Sequence, residues 1–254
     1  MRALIGDPAL LFFLSLGILW LAARLGAFLR VRRPLGPETR EDFGVVLAAS
    51  LTLLGLIIGF AFSMSANRYD QRKNYAEAEA NAIGTEYVRA ALLERDEAAR
   101  LRGLLASYLD ERIKFYTVHD DAEIGLINDR TVKLQSDLWA AVLAPAAARP
   151  TPVMALVVSG MNDVLNSQGY TQAAWWNRIP VSAWILMTTI AMACNFMVNY
   201  GSRSSLPGTT LPFILPLLIS VAFGLIADID APRNGIIRVK PQNLTSLAGS
   251  LPRL

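Results

Sequence analysis

Asp228 and Asp230 stand two apart at the end of an apolar run, in the stretch ADIDAPRNG. Carboxylates at this spacing suit two kinds of chemistry. They can ligate a divalent cation, although an EF-hand loop brings more oxygen ligands than this segment holds. They can also neutralise arginines, with Arg233, Arg238, Arg68 and Arg72 as candidates. Arg68 and Arg72 are one helical turn apart and divide the same way. Guanidiniums at the edge of a membrane segment are solvated flanks that fix its depth. When several copies surround an axis, they instead form a positive ring at a pore mouth. We carry Asp228 and Asp230 as a candidate ion or gating site, and Arg68 and Arg72 as candidate vestibule charge.

Catalytic constellations are missing from the sequence. His119 is the only histidine, which excludes a catalytic His triad, an HExxH zinc site and a two-histidine metal site. There is no G-x-S-x-G, no P-loop and no G-x-G-x-x-G. His119 lies beside Asp120 and Asp121 and reads as a surface loop residue. Cys194 is the single cysteine, so an intrachain disulfide and a cysteine metal cluster are excluded, and it reads as a small packing residue. The expectation is a protein that is not an enzyme, with no catalytic residues, no metal and no cofactor. A net charge of +3, without a long basic run, argues against a nucleic-acid partner.

The elements that position these residues follow from hydropathy. The chain has 254 residues, 53% of them hydrophobic and 18% charged, and the apolar ones gather in four blocks. That distribution predicts an integral membrane protein. The first block, Pro8 to Leu29, is longer than a signal-peptide core and is followed by arginines rather than a cleavage site. Arg24 near its end can snorkel to the headgroups. Pro34, Gly36 and Pro37 stop this helix in the polar loop Arg30 to Asp42, and Thr39 or Asp42 is placed to cap the next. The second block is apolar from Gly44 to Phe62 and meets no charge before Arg68. Asn67 to Lys73 contains neither Gly nor Pro, and AEAEANA follows, so one helix should leave the membrane unbroken and run to about Glu94. Gly55 and Gly59 form G-x-x-x-G on one face, which permits close helix approach. Leu56 and Phe60 are also four apart.

Residues 67–174 read as a helical extramembrane domain. Leu101, Leu104, Leu105, Tyr108, Leu109, Arg112, Phe115 and Tyr116 form one amphipathic stripe, and Asp121 to Leu143 and Val153 to Ser167 give two further helices. APAAARPTP reads as a rigid connector between those two. The third membrane helix should start near Trp175, with Trp175, Trp176 and Trp184 as an aromatic belt and Pro180 in its first turn. The fourth, with Pro212 and Pro216, should follow a tight turn from Tyr200 to Gly208. The expected fold class is therefore all-α: four transmembrane helices at about 8–29, 44–66, 176–199 and 210–227, with the helical domain inserted between the second and third. A patternless tail fills 229–254. Sidedness stays open. Arg30, Arg32, Arg33, Arg40 and Arg203 favour a cytoplasmic location for the two short loops, whereas Arg2, Arg68, Arg72, Lys73, Arg178, Arg233, Arg238 and Lys240 favour the opposite.

LTLLGLIIGFAFSMSANRYDQRKNY resembles the pore-lining second helix of the bestrophin anion and cation channels. Those helices carry apolar residues four apart, then Gly-Phe, then a polar stretch with an aromatic beside an arginine. ADIDAPRNG is similar to their acidic-Pro-Gly turn. EANAIGTEYVRAALL and LIADIDAPRNGIIRV resemble two stretches of the bacterial bestrophin-like membrane proteins, a family of unassigned function that the whole chain resembles most. This chain has Arg68-Tyr69-Asp70 where bestrophins have an aromatic-rich run, and its acidic turn is sparser than their calcium clasp. The resemblance implies a homo-oligomer, a pentamer, in the bacterial inner membrane, conducting small inorganic ions. It matches Leu56 and Phe60 to an apolar neck with Thr52 one turn further in. The alternative reading is a non-conducting sensor or scaffold whose helical domain binds a partner.

Overall fold

A computed structural model describes residues 7–202 and 211–252. Among these residues all regular structure is helical: α1 (Pro8–Arg32), α2 (Pro37–Arg89), a 3-10 turn (Ala90–Leu92), α3 (Arg95–Thr117), α4 (Asp121–Ala148), α5 (Pro152–Trp176), α6 (Val181–Gly201), α7 (Leu211–Asp230) and α8 (Gln242–Ser250). Four stretches are long and apolar enough to cross a membrane: Pro8–Arg32, Glu38–Leu92, Pro152–Gly201, which takes in both α5 and α6, and Pro212–Asp230. Arg2 and most of the expected Tyr200–Gly208 turn, including Arg203, lie outside the described residues.

The chain divides into two compact units. The first holds the described residues up to Arg68 together with Arg178–Arg238. In it, α1 packs against α6 and α7 around Leu19, Leu54, Trp184, Met187, Ala191, Cys194, Phe223 and Ile226. Asp7 caps α1 by accepting from the backbone N–H of Ala9 at 3.0 Å and Leu10 at 3.2 Å, which satisfies two of the orphan donors at the helix start. Gly26 sets how closely α1 and α6 approach, because a Cβ there would lie 2.2 Å from the Phe196 carbonyl oxygen.

The second unit holds Tyr69–Asn177 and the described residues from Val239 onward. Its core is the predicted α3 stripe, with Leu101, Leu105, Tyr108, Leu109 and Phe115, packed on Ile83 of α2, Ile127 and Leu138 of α4, and Val157, Met161 and Val164 of α5.

Several expectations are corrected here. α2 starts at Pro37 rather than near Gly44, because a proline at the first helical position gives up only an N–H that had no partner there. The APAAARPTP segment is not a connector throughout, since α4 continues through Pro145 to Ala148. Chain reversal is left to 149–151, where Thr151 caps α5 through the Met154 N–H at 3.3 Å. α5 runs on past Ser167 to Trp176, and α6 starts only at Val181, after Pro180. Trp175 is therefore no belt residue. It packs in the core of the second unit, 4.8 Å from Phe115 and 5.4 Å from Tyr116 between ring centroids. Trp184 is buried against Phe223 in the first unit. The tail is not patternless either: it forms α8, whose Leu244 is fully buried.

Candidate functional site

The site residues lie along α2 and at the end of α7. α2 is a single 53-residue helix with no break at Ser63–Asn67. Its inward stripe advances in steps of three and four through Leu54, Ile58, Ala61, Ser65, Arg68, Arg72, Ala76, Glu79, Ile83 and Glu86, all buried or half-buried. At about 100° per residue, Thr52, Leu56, Gly59, Phe60, Ser63 and Asn67 fall on the opposite face. That face is exposed, with Leu56 at 52% and Phe60 at 63%. A Cβ on Gly55 or Gly59 would meet nothing within 4 Å, so the G-x-x-x-G surface is bare on the single chain. Thr52 turns its hydroxyl to the Ala48 carbonyl at 2.9 Å, the usual way such a side chain satisfies itself within an apolar helix.

The two aspartates are buried, and each of their oxygens accepts a hydrogen bond. Asp230 Oδ1 accepts from Arg68 Nη1 at 3.3 Å, and Oδ2 accepts from the Ile179 N–H at 3.0 Å. Asp228 Oδ1 and Oδ2 accept from the N–H groups of Ile236 and Ile237 at 2.6 and 2.8 Å. A carboxylate at a helix C-terminus opposes the helix dipole and needs such donors. Asp230 ties α2 to the start of α6, and Asp228 folds the chain after α7 back onto that helix. Gly235 belongs to the same knot, since a Cβ there would lie 2.4 Å from the Asp228 carbonyl. Among the described residues no three metal-ligating side chains come together. His119 is exposed, and its neighbour Asp120 caps α4 by accepting from the Glu123 N–H at 2.9 Å.

Arg72 is 2% exposed and belongs to the second unit. Two stripe positions further on, at Glu79, is a network that sequence reasoning missed. Glu79 accepts from Arg112 Nε, from Thr171 Oγ1 at 3.2 Å and from the Tyr116 hydroxyl at 3.4 Å. The Arg112 guanidinium also stacks 4.5 Å over the Phe115 ring. Burial, reinforced by the Glu79 charge, pushes the Tyr108 and Tyr116 hydroxyls above the usual tyrosine range. Glu86 is different. It is fully buried beyond the apolar part of α2, and neither carboxylate oxygen has a hydrogen-bond partner. Burial raises it to about 8, Arg89 opposes the rise and Asp163 adds to it. Gly160 makes room for it, because a Cβ there would lie 2.0 Å from Glu86 Oε2. Ser65, Arg72, Glu79 and Glu86 are each seven apart. That spacing, which keeps one face of a helix inward, was the available signal.

Among the described residues, all-helical structure with four apolar spans and a long second helix defines a membrane protein. The chain belongs to the Bestrophin-like family, whose domain model matches residues 9–244. The structure is similar to a bacterial Bestrophin homolog from Klebsiella pneumoniae, at 12% identity and a TM-score of 0.63, covering 94% of this chain and 99% of that one. A point variant of that homolog aligns at 14% identity and a TM-score of 0.62, over 94% and 99% of the two chains. At these identities the likeness speaks to fold. No curated protein matches the sequence.

Proposed function

We propose that this protein is an oligomeric, bestrophin-like ion channel of the bacterial inner membrane, with α2 of each copy lining a central pore. The second unit stands outside the bilayer as a helical domain inserted between the second and third spans. The observation that carries the reading is the exposed Leu56–Phe60 face on a helix that leaves its apolar segment without a break. A ring of such side chains makes a constriction that gates by dewetting, with Thr52 one turn further along the path. Family membership supports the same reading. The resemblance argues for a pentamer carrying small inorganic ions.

Arg68 and Arg72 enter the proposal through their field. Arg72 is buried and Arg68 is bound to Asp230, so neither offers a bare guanidinium to the path. A charge held in a low-dielectric interior is nonetheless felt over a longer distance than a solvated one. Asp228 and Asp230 take the gating role rather than an ion-binding one, since N–H donors already occupy their oxygens. Catalysis is no part of the proposal. Purified protein in planar bilayers tests the reading. It predicts a current that Phe60→Ala increases, and a silent bilayer for both proteins rejects it.

A second reading has one observation in its favour. Apart from Thr52, the exposed face around Leu56 is apolar through Phe60, which suits lipid as well as a pore. In a non-conducting sensor or scaffold, α2 would face lipid there and the helical domain would bind a partner. A monomer in detergent that gives no current would favour it.

A further inference from the structure

Within the first unit, α1, α6 and α7 enclose a groove of about 290 Å³. Leu11, Leu14 and Ile18 of α1, Ile185 of α6 and Phe223 of α7 give it apolar walls. Four polar side chains interrupt them: Ser15, Trp184, Thr188 and Thr189, the last of which donates to the Ile185 carbonyl at 2.8 Å. Ser15 donates its hydroxyl proton to the Phe12 carbonyl at 2.9 Å and keeps acceptor capacity only. Trp184 is 4% exposed, and its indole Nε1–H has no acceptor. An indole N–H is a donor with no other use, and leaving it unmet in a dry setting costs about as much as a lost hydrogen bond.

Position narrows the occupant. Trp184 lies in the first turn of α6, just after Pro180 and Arg178, and Leu11 to Ile18 lie in the first three turns of α1. A helix that spans the bilayer from Val181 holds its first turn at the depth where an aromatic N–H meets the boundary between headgroups and hydrocarbon. At about 290 Å³ the groove falls just below the size range of pockets for whole small molecules, roughly 300–1,000 Å³. It suits one hydrocarbon chain better than a compact ligand. At that depth a bilayer offers one abundant neutral acceptor attached to a hydrocarbon chain, the glycerol ester carbonyl.

We propose that this groove is a phospholipid site, in which one acyl chain lies along Leu14, Ile18, Ile185 and Phe223 and its ester carbonyl accepts from Trp184 Nε1. It does not depend on the protein conducting ions.

The test uses the full chain purified in detergent, with retained phospholipid counted per protomer by native mass spectrometry. The probes are two synthetic phosphatidylglycerols with identical chains, one joined by esters and one by ethers. The wild type should retain the ester lipid about two- to tenfold better than the ether lipid, the worth of one hydrogen bond. Trp184→Phe, which removes the N–H and keeps most of the ring, should erase that preference. Leu14→Trp, at a half-exposed position that leaves the core intact, should fill the groove and lower retention of both lipids. Equal retention of ester and ether lipids by the wild type overturns the assignment. So does a Leu14→Trp protein that binds lipid normally, or one that loses its oligomer with lipid retention unchanged, which would mean that a second copy covers the groove.

Discussion

Arg68 Nη1 lies 3.3 Å from Asp230 Oδ1, joining the last residues of the apolar part of α2 to the end of α7, with the two side chains 13% and 3% exposed. The same carboxylate holds the Ile179 N–H, so one group fixes three chain segments. Breaking a buried pair by removing one partner is costly, because the other charge stays behind. Asp230→Ala should lower stability by about 3 kcal/mol or more, measured by chemical denaturation in micelles. Arg68→Met combined with Asp230→Leu should recover part of that loss. A loss under about 1 kcal/mol, the worth of an exposed ion pair, would show that the pair is solvated.

Two glycines make a matched comparison. Gly26→Ala forces a methyl against the Phe196 carbonyl oxygen, a backbone atom that cannot swing aside. It should destabilise by about 1–3 kcal/mol. Gly59→Ala meets nothing on its own chain and gains helix propensity. It should leave the unfolding of a protomer unchanged or slightly improved. If neighbouring copies pack at that surface, the same substitution weakens the oligomer, which size-exclusion chromatography with light scattering reads separately.

Glu86 makes stability fall with pH. Its carboxyl sits at about 8 against an ordinary 4.5, so the folded state holds the proton more tightly than the unfolded chain does. Its contribution is complete below pH 4.5, declines as pH rises, and is gone above about 8. The charged groups acting on it are Arg89 on its own helix and Asp163 on α5. Arg102 of α3 is engaged at the adjacent Tyr87 carbonyl. Glu86→Gln should therefore flatten the fall in melting temperature between pH 5 and 9 and make the protein more stable than wild type at pH 9. Parallel pH profiles for the two proteins would mean that Glu86 is ionised and solvated.

Much of the fold was legible because the strongest determinant, hydropathy over some 20 residues, is local. The apolar run of α2 and the helix formers after it predict a continuous helix, and the structure has one. The α5–α6 boundary was not legible. Trp175 and Trp176 next to an apolar run look like a membrane belt, and only tertiary packing reveals that Trp175 closes the core of the second unit with Phe115 and Tyr116. Pro145 looks like a helix stop, but a proline inside a helix forfeits one hydrogen bond and packing can outweigh that. The partners of Asp228 are backbone N–H groups eight and nine residues on, which no side-chain pattern announces. Glu79 meets Arg112 and Thr171 across distances of 33 and 92 residues, so only its seven-residue spacing from Arg72 and Glu86 hinted at an inward face.

The most direct test of the central claim is the current through single channels of Phe60→Cys protein before and after a charged thiol reagent is added. Cys194 is fully buried in the parent, so the new thiol is the accessible one. The account predicts that modification at residue 60 changes the current stepwise, while the unsubstituted protein is unaffected. A channel whose current ignores a charge placed at residue 60 would contradict it, as would a protein that passes no current at all.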